Sequence, residues 1–178
     1  MEQKPTQGDF SLTKIRLTKD GGAAITYQVN SNKVHTECTE YIHRDLRQLF
    51  TQLRPLMGQV FALTETLTAN ITVNGIAIAG KEENKGCVMV GDYFTISGQP
   101  TKICTPRIKF LEQYYGFENE LADIAANIEA EVYEYLFSGK HEELEELEKQ
   151  GKPASTKKRD KRTVLSHLVT QASDYYCR

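Results

Sequence analysis

Hydrophobic spacing along the chain changes period several times, and each change marks an element. The clearest stretch is Phe117 to Phe137, FENELADIAANIEAEVYEYLF, where Phe117, Leu121, Ile124, Ala125, Ile128, Val132 and Leu136 recur at helical spacing. Glu118, Glu120, Asp123, Glu129, Glu131 and Glu134 fall mostly off that stripe and read as a solvated face. Ser138-Gly139-Lys140 supplies a stop, with a glycine where a left-handed cap is needed. Arg44 to Leu63 reads as another helix, through Leu46, Leu49, Phe50, Leu53, Met57 and Val60. Pro55 conflicts with it, because an interior proline removes a donor and clashes with the turn before it, at about 3 kcal/mol. Either the helix kinks there, or one helix ends near Leu53 and a second starts with Pro55 at its first position. Gly58 favours the break.

The remaining pattern alternates as strands do. Ile15 and Leu17 alternate with polar residues over Ser11 to Thr18. Asp20-Gly21-Gly22 is a hairpin signal, and Ala23, Ile25, Tyr27 and Val29 alternate with Ala24, Thr26 and Gln28 along the returning strand. Asn30-Ser31-Asn32 turns the chain into a third strand, Lys33 to Tyr41, with Val34 and Cys38 as inward candidates. Thr68 to Ala79 is strand again, and Asn74-Gly75 within it marks either a tight hairpin or a bulge in one long strand. After the charged loop Gly80 to Gly86, Cys87 to Val90 and Tyr93 to Ile96 are apolar runs; Gly98-Gln99-Pro100 turns, and Thr101 to Thr105 is the last strand. Ile108 to Tyr115 reads as a short helical lead-in. The pattern predicts an α+β fold: an antiparallel sheet of about five to seven strands with two main helices packed on one face. The order strands–helix–strands–helix also suggests a pseudo-duplicated three-strand-plus-helix unit, although no residue-level self-similarity accompanies it.

Composition refines this to one domain with extensions. Residues 1–9 read as a flexible arm, 10–140 as the α+β domain, 141–162 as an acidic then basic linker, and 163–178 as a short amphipathic C-terminal segment. The 178 residues carry 24 acidic and 22 basic side chains, so no global field points to nucleic acid or membrane. No apolar run reaches the roughly 18 residues of a membrane span. No secretory signal follows Met1, which implies a cytoplasmic location. Cys38, Cys87, Cys104 and Cys177 form no CxxC and read as core thiols of a reducing compartment.

Candidate chemistry is sparse. His35, Cys38 and His43 form H-x2-C-x4-H, with nitrogen and sulfur ligands that zinc accepts and Glu40 or a water as a fourth. On a strand, however, His35 and Cys38 point to opposite faces, so no metal site is assigned. Neither a nucleophile motif nor a phosphate-cradling glycine loop is present, which implies a non-enzymatic protein without a cofactor. The basic run Lys152, Lys157, Lys158, Arg159, Lys161 and Arg162 can neutralise phosphates without reading sequence, or can serve as a charged linker that partly neutralises the acidic helix beside it. Tyr27, Tyr41, Tyr93 and Phe94 are candidates for stacking single-stranded bases, against a core role for each.

The stretch YFTISG (Tyr93 to Gly98), then CTPRI (Cys104 to Ile108), then ENELADIAANIEAEVYEYLFSGK (Glu118 to Lys140) resembles small uncharacterised proteins encoded by phages and prophages of Bacteroides-type bacteria. The resemblance covers roughly residues 10–140 and implies a phage-encoded accessory protein, placed in the host cytoplasm. The first expectation is a helper of DNA replication or recombination that contacts single-stranded DNA or RNA. The alternative is a phage protein that binds and inhibits or redirects a host defence or regulatory factor. A phage protein as partner, or self-association through the C-terminal segment, fits either reading.

Overall fold

A computed structural model describes residues 5–95 and 98–141; the basic run and the amphipathic C-terminal segment lie outside them. The described chain runs β1 (Phe10–Leu17), β2 (Ala23–Val29), β3 (Asn32–Cys38), α1 (Arg44–Val60), α2 (Glu65–Thr68), β4 (Ile71–Ala79), β5 (Gly86–Phe94), β6 (Pro100–Cys104), β7 (Ile108–Lys109) and α3 (Glu118–Phe137). The strands form one seven-stranded antiparallel sheet in the order β3-β2-β1-β4-β5-β6, with β7 also on β5. The fold is α+β, as the pattern predicts. Residues 5–9 carry a 3-10 turn at Gln7–Asp9, and the Tyr133 hydroxyl donates to Pro5 O at 2.6 Å, so this part of the arm is tethered to α3.

The strand order gives the suspected duplication a geometric form. Each half is a three-stranded meander followed by a helix, and the halves meet where Ile15 of β1 pairs with Ile76 of β4. A local two-fold axis there relates β1 to β4, β2 to β5 and β3 to β6. The bulge between Leu12 and Lys14 then falls opposite the bulge between Val73 and Gly75. Farther out, Thr36 pairs with Ile25, while Thr105 N donates to Met89 O and Met89 N to Thr105 Oγ1, both at 3.0 Å. Both threonines are buried. The helices cross over: α1 packs on β4 and α3 touches β1, and the two helices pack on each other.

The core lies between sheet and helices, with Leu12, Ile15, Ile25, Ile71, Ile76 and Met89 facing Leu46, Leu53, Met57, Leu121, Ile124 and Ile128. The β1 bulge explains why Leu12 joins Ile15 inside, a pairing strict alternation does not predict. Asn74-Gly75 is likewise a bulge within one strand. Pro55 neither breaks α1 nor starts a new helix: it sits inside it on the exposed side, as does Thr51, whose carbonyl its ring cannot serve. Ile108 to Tyr115 is not helical. Ile108 pairs with Cys87 as a short strand, and the chain then turns. The third strand ends at Cys38, three residues short of Tyr41, and buries Thr36 ahead of Val34 and Cys38.

The α3 stripe is buried as expected, from Phe117 through Leu121, Ile124, Ala125, Ile128 and Val132; Leu136 is only half-buried, and Tyr133 and Tyr135 are buried beside it. Gly139 takes φ +71°, the left-handed conformation that a glycine cap permits. The charged side is not uniformly solvated. Glu129 Oε1 accepts from Leu12 N at 2.8 Å, at the β1 bulge where the ladder is interrupted.

Ile128 has no exposed surface, so Ile128→Ala is expected to cost about 2–5 kcal/mol in a urea melt. Glu129→Ala is expected to cost about 1–3 kcal/mol, because it strands a part-buried backbone donor. A loss of about 0.5 kcal/mol or less at Glu129 would show that water serves Leu12 N equally well.

Candidate functional site

Residues paired across an antiparallel ladder share a face, and the face away from the helices can be read from the register. One row runs His35, Thr26, Lys14, Ala77, Val88; the next runs Glu37, Ala24, Arg16, Gly75, Val90, Cys104. Lys33 follows at the β3 edge, and Thr72, Asp92 and Lys102 lie toward the β6 edge. Lys14, Arg16, Lys33, His35 and Glu37 are exposed, whereas Ala77, Val88, Val90 and Cys104 are half-buried. This outer face is thus mainly basic over β1–β3, whereas over β4–β6 a small apolar patch of Ala77, Val88, Val90 and Cys104 gives way to the polar row Thr72, Asp92 and Lys102. Asn74, at the second bulge, donates to Asp92 Oδ2 at 2.7 Å and steadies the acidic spot there.

The aromatic candidates divide. Tyr27 is buried in a ring cluster with Phe10 and Phe137. Tyr93 pairs with Ile71 on the core side, and Tyr41 lies against Gly21. Neither Tyr27 nor Tyr93 presents a ring on the outer face. Phe94 does: it shares the face of Asp92, pairs with Pro100 and is 40% exposed. Lys152, Lys157, Lys158, Arg159, Lys161 and Arg162 lie outside the described residues.

His35, Cys38 and His43 do not come together. His35 is on the outer face, hydrogen-bonded to Thr26 Oγ1 at 3.0 Å, and Cys38 is half-buried on the core side. His43 instead caps α1: its Nδ1 accepts from Asp45 N at 3.3 Å. Among the described residues, His43 groups with Asp45 and Glu131, with one ligand atom from each within 4.8 Å of the others. Lys140 Nζ sits against both carboxylates, 2.9 Å from Asp45 Oδ2 and 2.7 Å from Glu131 Oε2. The hydrogen bond from Lys140 is the main cause that holds Asp45 below the ordinary carboxylate value. Glu131 first, then Asp45, raises Lys140. Beside the cluster a groove of about 260 Å³ runs between α1 and α3, lined by Gln48, Leu49, Gln52, Asn127 and Ala130. No sequence motif announces this grouping, because its third member comes from a distant helix.

Glu118 is a second departure from a solvated acidic face. It is 1% exposed and accepts from Tyr115 N at 2.5 Å, ordering the turn that holds exposed Tyr114. Burial alone would raise its pKa, but the backbone N–H groups of Tyr115, Glu118, Tyr114 and Gly116 together hold it below the ordinary value. Cys87 is unsuited to nucleophilic work, since burial pushes its thiol up to about 12. No family model, curated protein or solved structure matches this chain. Among the described residues no helix is long and apolar enough to cross a membrane.

A carboxylate with a lowered folded pKa contributes stability that is complete above its unfolded value and fades as pH falls through the folded one. The stability advantage of the wild type over Glu118→Gln is therefore expected to be largest at neutral pH and to shrink below 4.5. Urea midpoints of the two proteins along an acid series measure this; a constant gap would show that Glu118 acts by packing alone.

Proposed function

We propose that this is a non-enzymatic, phage-type accessory protein that holds single-stranded nucleic acid without reading its sequence. The observation that carries the reading is the outer sheet face, where Lys14, Arg16 and Lys33 stand exposed on β1 and β3 with one opposing carboxylate, Glu37. Cations on a flat surface attract phosphates regardless of base identity. Phe94 adds an exposed ring on the same face for a base to stack on. The run Lys152, Lys157, Lys158, Arg159, Lys161 and Arg162 would extend the contact with six more cations. Such binding suits a helper in DNA replication or recombination.

The second reading is a protein partner, such as a host defence or regulatory factor. It is favoured by the apolar half of the same face, where Ala77, Val88, Val90 and Cys104 form a small-residue patch.

Fluorescence anisotropy with a labelled single strand at two salt concentrations tests the first reading. Affinity is expected to fall with salt, and the double variant Lys14→Ala/Arg16→Ala to reduce the log–log slope by about 0.7 for each cation removed. No binding at low salt, or a slope untouched by the double variant, would remove the sheet face from consideration and favour the protein partner.

A further inference from the structure

We propose that the open edge of β3 pairs with the β3 edge of a second copy of this chain, antiparallel and centred on His35. The ladder on the other side of the strand shows which backbone groups are free to do so. Val29 and Asn32 close a two-residue turn in which Asn30 and Ser31 take φ +50° and +68°, the twist of a tight hairpin turn. The pair that closes such a turn exchanges both of its backbone hydrogen bonds, and every second pair beyond it does the same. Asn32, Val34, Thr36 and Cys38 therefore direct their N–H and C=O groups at β2. The far end of β2 gives the same phase: Thr18 N donates to Gly22 O at 2.9 Å, so Gly22 faces Thr18 and the next residue, Ala23, faces β3. Lys33, His35 and Glu37 point their backbone groups away from β2, where no strand lies among the described residues.

The exposed side chains of these three residues make the edge self-complementary. When two identical strands pair about a two-fold axis, the residue on the axis meets its own copy. With His35 there, Lys33 of each copy lies opposite Glu37 of the other, at the roughly 5.5 Å Cα spacing of a hydrogen-bonded pair. Backbone phase and charge pattern thus choose the same register. A register centred on Lys33 or on Glu37 instead sets like charges face to face. The two sheet edges also differ. β3 has seven residues in unbroken register on β2, whereas β6, the other edge, has five and begins with Pro100. Pairing through β3 joins the basic halves of two outer faces into one strip that carries Lys14, Arg16 and Lys33 from each copy. The pairing itself does not depend on nucleic-acid binding.

Sedimentation velocity of the full chain over a concentration series, with no nucleic acid added, tests this. A monomer–dimer equilibrium with a dissociation constant of about 1–100 μM is expected, because one strand-to-strand edge is smaller than a standard stable interface. Lys33→Glu and Glu37→Lys are each expected to weaken dimerisation by about tenfold or more, since either sets like charges opposite at two places. The double variant Lys33→Glu/Glu37→Lys is expected to return to within about threefold of the wild type. Lys33 and Glu37 are exposed and lie roughly 13 Å apart along one strand, so only pairing between copies couples them in this way. A chain that stays monomeric up to about 1 mM would overturn the proposal and mark the edge charges as a guard against pairing. A dimer that the single variants leave unchanged, or that the double variant fails to restore, would also overturn it and place the contact elsewhere.

Discussion

Everything in this fold depends on the pairing of β1 with β4. Only three residue pairs define that junction, Lys14–Ala77, Ile15–Ile76 and Arg16–Gly75, yet it joins two meanders into one sheet. A meander of three strands has a single apolar face that another element must cover. The junction sets the two faces side by side under α1 and α3. It also lets each helix reach across, α1 onto β4 and α3 toward β1, so that neither half has a complete core of its own. Ile15 and Ile76, both buried, lie at the crossing point of these contacts.

Bending a sheet under two helices interrupts its ladder, and the chain answers with side chains. Each central strand carries a bulge, and each bulge has a polar neighbour: Glu129 accepts from Leu12 N, and Asn74 donates to Asp92. Glu118 does similar work at the entry to α3, where its carboxylate takes Tyr115 N. The hydroxyls of Tyr133 and Tyr135 reach Pro5 O and Glu40 O, both at 2.6 Å, and tie loop backbone to the helix. A buried or part-buried backbone group left without a partner costs about 1–3 kcal/mol. These polar residues on an apolar helix are therefore structural rather than solvated surface.

That distinction marks where the sequence could be read and where it could not. Periodicity finds α3, α1, β2 and most of β4 and β5, because a strong apolar stripe is an average over many residues. It fails at single residues. Thr13 shifts the phase of β1, so Leu12 turns inward against the alternation. Ile108, Leu111 and Tyr115 mimic a helical spacing, but Ile108 is committed to β5 and Leu111 to solvent. Nothing local tells Glu118 from Glu120, although the first is buried and the second exposed. His43 is visible in the sequence as a metal-type ligand, but its neighbours are set by the packing of α1 on α3, which spacing cannot express. Cys38 and His35 sit close in sequence and are separated by the pleat.

The pseudo-two-fold axis supplies an argument about function that no single residue provides. Relative to Ile15 and Ile76, Lys14 corresponds to Gly75 and Arg16 to Ala77. The inward sets of the two halves match: paired bulges, axial isoleucines and a buried threonine on or just beyond each third strand. The outward sets do not. Core packing constrains only the inward side of a strand, because successive side chains point to opposite faces. Outer-face identity is thus free of the fold, and a contrast there, Lys14 and Arg16 on one central strand against Gly75 and Ala77 on the other, is not a by-product of packing. A sheet that needed only to stay soluble would be served by polar residues across both halves. The half-buried Ala77, Val88 and Val90 beside exposed Lys14 and Arg16 make a surface with a charged side and an apolar side. The packing of the core does not require that division.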